Sequence, residues 1–127
     1  MRRSFTGVVF AAIAASASCG VPGGDAAEIG PDPVVVAPDE FAVDLENERV
    51  RVLRVTVKEG TAPGPHSHPQ RLVVFLTPCT WLERGEDGAM IEETNAAGEV
   101  HWMGAMVHEG GPNQVKETCE LLEIELK

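Results

Sequence analysis

The chain has 127 residues, enough for one domain with one core and too few for two domains of usual size. With 20 acidic against 10 basic residues its formal net charge is -10, which makes nucleic acid a poor partner.

The N-terminus, "MRRSFTGVVFAAIAASASCGVPGG", carries two arginines, a small apolar run from Val8 to Ala15, and small residues leading to Cys19. That is the layout of an export signal; the run is well short of the roughly 20 residues of a membrane helix. Losing Arg2 and Arg3 with it would take the net charge from -10 to -12. Two cleavage positions fit. One is an A-x-A type cut after Ala17, and the other a lipoprotein cut before Cys19, where "SASCG" resembles a bacterial lipobox with Ser16 in place of the usual leucine. The lipoprotein reading, with residues 1–18 as signal peptide, is preferred, because an odd number of cysteines in an exported chain leaves one to explain and lipidation of Cys19 explains it. Contact with a membrane is then expected only through that lipid. Cys79 and Cys119, far apart in sequence, could pair in an oxidising envelope or periplasm, or remain two buried thiols.

Residues 19–33, with "GVPGGDAAEIGPDP", have little to bury and read as a flexible tether. From residue 34 to 127, short β-branched runs alternate with turn signals, as in all-β folds. Strands are predicted at Val34 to Val36, Phe41 to Leu45, Val50 to Lys58, Arg71 to Thr77, Thr80 to Glu83, Ala89 to Glu93, Glu99 to Met103 and Glu120 to Leu126. In "RVRVLRVTVK" the apolar positions switch parity after Val52, which predicts a β-bulge near Leu53. The last run, "CELLEIELK", reads with Leu122, Ile124 and Leu126 inward and Glu123, Glu125 and Lys127 outward. Eight short strands without helices pack as a sandwich or close as a barrel, and ligands would sit inside.

In "KEGTAPGPHSHPQRLVVFLT", residues 58–77, His66 and His68 lie two apart, so in a strand they face one space behind a turn shaped by Gly60, Pro63, Gly64 and Pro65. Two such imidazoles can share a metal, although two half-exposed polar residues at a barrel mouth would look the same. His108 offers a third ligand from another strand. Gln70 shares their parity and could supply a neutral oxygen, and Leu72, Val74 and Leu76 would continue that face as an apolar wall. His101, in "EVHWM", reads as a hydrogen-bonded strand histidine or a partner of a ligand. Trp81 and Trp102 read as core or pocket wall. Glu92, Glu93 and Glu109 are candidate general bases. Asp87-Gly88 marks a turn and no calcium loop, and no serine or cysteine nucleophile motif, phosphate loop or C-x-x-C pair is present.

On these residues the chain, from Phe41 onward, resembles a small single-domain cupin of the quercetin-dioxygenase-like kind, a jelly-roll β-barrel whose two motifs bring histidines to one metal. Gly60, five residues, then His66 and His68 match the opening of the first motif, and "GEVHWMGAMVHEGGPN" follows the second loosely from Gly98 to His108 and Asn113. The flanks "FAVDLENERVRVLRVTVKEG" and "CELLEIELK" also look like opening and closing cupin strands. The first motif's glutamate falls on Leu72 or Val73 and its closing glycine near Cys79, so both are missing. In the second, Gly104 and Met106 replace a proline and a glycine, His108 comes one residue early and Asn113 one late.

The resemblance implies one cupin-like jelly-roll barrel holding one divalent transition metal (Fe, Mn, Ni, Cu or Zn) on His66, His68 and His108, beside a small, mostly apolar pocket for a small-molecule ligand. Three neutral imidazoles without a carboxylate would leave the ion its full charge. Three functions follow: a metal-binding module, a metal-dependent dioxygenase or isomerase, or an acidic structural or partner-binding domain with incidental histidines. A homodimer is left open.

Overall fold

A computed structural model describes residues 30–127. The expected signal peptide, the lipidation of Cys19 and residues 19–29 of the tether lie outside them.

One helical turn, α1 (Pro33–Val36), precedes nine strands: β1 (Phe41–Glu46), β2 (Val50–Val57), β3 (His66–His68), β4 (Arg71–Phe75), β5 (Cys79–Arg84), β6 (Met90–Asn95), β7 (Val100–Met103), β8 (Met106–His108) and β9 (Cys119–Leu126). A five-stranded sheet runs β1-β2-β9-β4-β7, and two two-stranded sheets, β3-β8 and β5-β6, complete the barrel. The all-β reading holds. β3 and β8 are too short for a periodicity signal, and both carry predicted ligands.

The strand expected at Val34 to Val36 is α1. Asp32 caps it, accepting from the Val34 amide at 2.9 Å, and Pro33 fills the first turn with its ring buried. This Asp-Pro pair outranks the β preference of three valines. Residues 30–33 of the expected tether pack on the barrel: the Ser67 amide donates to the Pro31 carbonyl at 3.0 Å, and Asp32 takes both guanidinium ends of Arg51.

β2 pairs with β9 in unbroken register from Val50↔Leu126 to Val57↔Cys119. The bulge expected near Leu53 is instead on the neighbouring strand, between Val43 and Leu45 of β1. The parity switch in β2 arises because Leu53, Val55 and Val57 face inward and the next inward position is Arg51, a charge. The same happens twice more. In β4, Arg71, Val73 and Phe75 are buried, so the wall expected of Leu72, Val74 and Leu76 faces the other way. In β9, Cys119, Leu121, Glu123 and Glu125 are buried, reversing the expected inward set of Leu122, Ile124 and Leu126.

The interior is therefore divided along its length. Phe41, Leu53, Val55, Val57, Val73, Phe75, Val115 and Leu121 form an apolar core with Cys79 and Cys119, which are joined as a disulfide with Cα atoms 5.3 Å apart. Toward one end the same three strands supply a charged row, Arg51↔Glu125↔Arg71, in direct cross-strand register. Outside, Leu45, Val52, Ile124, Leu72 and Trp102 form one apolar row across all five strands.

Candidate metal centre

β3 and β8 pair antiparallel with His66 directly opposite His108 and His68 opposite Met106. The two-residue period puts His68 on the same face as His66, so one sheet presents three imidazoles to the interior. Gly110, at φ 86°, lets the chain after β8 reach the turn before β3: a side chain there would meet the Pro63 carbonyl oxygen at 2.8 Å. Phe41 packs on His66 and His68, with ring centroids 5.3 and 5.7 Å away.

One nitrogen from each of His66, His68 and His108 lies within 4.8 Å of the others. The ring centroids of His66 and His68, and those of His66 and His108, are 5.0 Å apart. His66 Nδ1 is 2.8 Å from the Gly64 carbonyl oxygen, which can only accept, so Nδ1 donates and Nε2 is left with its lone pair. His68 Nδ1 lies 2.9 Å from Glu125 Oε1 and 3.0 Å from Glu123 Oε2, so Nδ1 is again the donor and Nε2 the nitrogen left for a metal once the ring is neutral. This backing by a carbonyl and by carboxylates orients metal-ligating histidines and raises their basicity. Burial, then the neighbouring His68 and His66, push the His108 pKa down to about 4, so its ring is neutral at pH 7 and free to coordinate.

Carboxylates do approach the triad, from a strand outside both histidine motifs. Glu123 and Glu125 of β9 are 7% and 3% exposed, and they bind in a chain Asp32–Arg51–Glu125–His68–Glu123–Arg71. Three carboxylates face two guanidinium groups in it, leaving one negative charge when His68 is neutral. Glu123 Oε2 lacks an aligned hydrogen bond, as does Arg71 Nε, 3.3 Å from Glu123 Oε1. The donor set thus fits a divalent cation: three nitrogens offered, two of the rings oriented from behind, and two buried carboxylates close by. His68, Glu123 and Glu125 also converge as a second group, but Arg51 and Arg71 already answer those carboxylates, so the triad is the better cation site.

Burial pushes the His68 pKa down, but Glu123 and Glu125 outweigh it and hold it above the ordinary value. Burial pushes Glu123 up, and His68 and Arg71 more than reverse that.

Gln70 lies outside the group. It sits with Pro69 in the break between β3 and β4, exposed, and its backbone carbonyl accepts from the Leu126 amide at 2.9 Å. His101 is also outside, bonded to Glu99 Oε1 at 3.1 Å and close to Asn95 at 3.4 Å. Among the candidate bases, Glu93 lines the cavity, Glu92 pairs with Lys116, and Glu109 is exposed outside the cavity lining. Asn113 donates to Glu40 at 3.0 Å and to Thr61 at 3.0 Å, tying the loop after β8 to the one before β3.

A cavity of about 390 Å³ opens beside the histidines, walled by Phe41, Val55, Val57, Val73, Phe75, Leu121 and Met103 and reached by Arg71, Glu123 and His101. Sequence reasoning missed Arg71, Glu123 and Glu125. A signal existed: Glu123 and Glu125 share parity with Cys119 and Leu121, as Arg71 does with Val73 and Phe75.

No family model matches the chain, and no curated protein does. Among solved structures it is similar to a cupin domain from Bordetella pertussis Tohama I, at 25% identity over 68% of this chain and 91% of that one, with a TM-score of 0.53. It is also similar to a conserved double-stranded β-helix protein from Klebsiella pneumoniae, at 18% identity over 68% and 74% with a TM-score of 0.47. A polyketide cyclase from Streptomyces resistomycificus aligns at 17% identity over 68% and 63%, also at 0.47. Strand order, barrel closure and the Bordetella likeness agree: the chain has the cupin fold, a double-stranded β-helix of the jelly-roll type.

Proposed function

We propose that this chain is an exported cupin-fold protein that binds one divalent transition metal through His66, His68 and His108. The observation that carries the reading is the orientation of the triad. One nitrogen from each of three imidazoles converges within 4.8 Å, and the Nδ1 atoms of His66 and His68 are engaged by Gly64 and Glu125, which leaves Nε2 as the ligand atom of each. His66, His68 and His108 would hold an ion such as Fe, Mn, Ni, Cu or Zn, which when bound would supply Lewis-acid chemistry at the mouth of the cavity.

A second reading, a metal-dependent dioxygenase or isomerase of the quercetin-dioxygenase-like kind, is favoured by the cavity of about 390 Å³ beside the triad, large enough for a small molecule. In it the apolar wall would exclude water, and Arg71 and Glu123 would orient polar groups of the substrate.

Elemental mass spectrometry on the untagged chain, beside the variant His66→Ala/His68→Ala/His108→Ala, tests the first reading. Near one equivalent of a single metal, lost in the variant, is expected; a chain that stays metal-free after reconstitution overturns it. Export with a lipid on Cys19 is part of the same proposal. Labelled palmitate should enter the expressed full-length chain and fail to enter Cys19→Ala.

A further inference from the structure

The cavity lining carries a charge bias separate from the metal centre. Trp81 of β5 lies directly opposite Glu93 of β6, and Glu83, two residues along β5, shares the face of Trp81. All three line the cavity, with Trp81 partly buried and both glutamates exposed. Among the described residues neither glutamate has an ion pair; the nearby Lys116 is taken by Glu92 on the opposite face of the hairpin. Deeper in, the lining adds Glu40 and Glu123, both 7% exposed, and one guanidinium, Arg71. A divalent ion on the triad would still leave carboxylates in excess.

We propose that the cavity takes a small organic cation, an ammonium-bearing molecule seated against Trp81 between Glu83 and Glu93. The indole face attracts a cation through its quadrupole, the two carboxylates add Coulomb attraction, and the apolar wall behind covers the carbon skeleton. Carboxylate ligands are disfavoured by the same charges. The inference rests on the reading above in taking the cavity as the ligand site, and it names the ligand class.

The test uses the full chain, metal-loaded and again after chelation, with benzyltrimethylammonium as probe and 3-phenylpropionate as its anionic counterpart, followed by isothermal titration calorimetry. The quaternary cation has no lone pair, so its binding does not depend on a metal. Saturable binding of the cation is expected, with the anion weaker by about tenfold or more. Glu83→Gln/Glu93→Gln and, separately, Trp81→Leu should each weaken the cation several-fold. Equal affinity for the anion, no saturable binding of the cation, or an unchanged affinity in the double glutamine variant overturns the proposal. Cation binding in a chain that never retains metal would sink the metal reading alone, and a metal-loaded chain that ignores the cation would sink this one alone.

Discussion

His68 is held by Glu125 across 57 residues of sequence, its Nδ1 2.9 Å from Glu125 Oε1 with both side chains buried. That contact joins a predicted ligand to a residue whose sequence pattern pointed it at solvent.

If Glu125 and Glu123 orient His68, their neutral replacements should weaken metal binding without removing a ligand. Glu125→Gln and Glu123→Gln are expected to lower affinity about 10–100-fold each, in line with other residues that back a ligating histidine. Competition against a chromogenic chelator reads the change, and affinities equal to the parent would show that His68 needs no such backing.

The pH dependence of the metal-free chain has two opposed limbs. His68, raised above 6.5, contributes stability fully below its unfolded value, and this is lost as pH rises through the folded value. His108, lowered to about 4, works the other way: the unfolded chain takes up a proton below 6.5 and the folded chain does not, so stability falls as pH drops from 6.5 toward 4. Glu123, lowered from 4.5, adds to the acid limb as pH falls through its folded value. Urea midpoints of the chelated protein should peak at about pH 6–7, and a flat profile from pH 5 to 8 would contradict the assignment. Because a metal must displace the His68 proton, affinity should rise over the alkaline limb.

Arg71 is 2% exposed and stands between Glu123 and the Gly104 carbonyl. Arg71→Met removes the cation and leaves Glu123 buried, which is expected to cost about 3–5 kcal/mol. The double change Arg71→Met/Glu123→Leu should recover much of that loss. Denaturant unfolding of the single and double variants decides, and a single-variant cost near zero would mean the ion pair contributes little.

The Cys79–Cys119 bridge closes a segment of 40 residues. Replacing both cysteines with alanine should destabilise the fold by about 2–4 kcal/mol, mainly by loosening the unfolded chain. An unchanged Tm with and without reductant would show that the bridge does not form in solution.

The sequence by itself determined the fold class, the two histidine-bearing segments and the spacing that sets His66 and His68 on one face, because a two-residue period and turn residues are local properties. It also placed most strands to within two residues. It misread which side of β4 and β9 faces inward, since "RLVVF" and "CELLEIEL" carry apolar residues on both faces, and charge argued for the wrong one. Only the tertiary structure decided that, by setting Arg51, Glu125 and Arg71 in one cross-strand row, where each charge answers its neighbour and can be buried. Likewise Asp32, in a segment with no periodicity, acquires its role from an arginine 19 residues away. A lone strand cannot report its partners, and in this barrel the partners decide which charges lie beside the histidines.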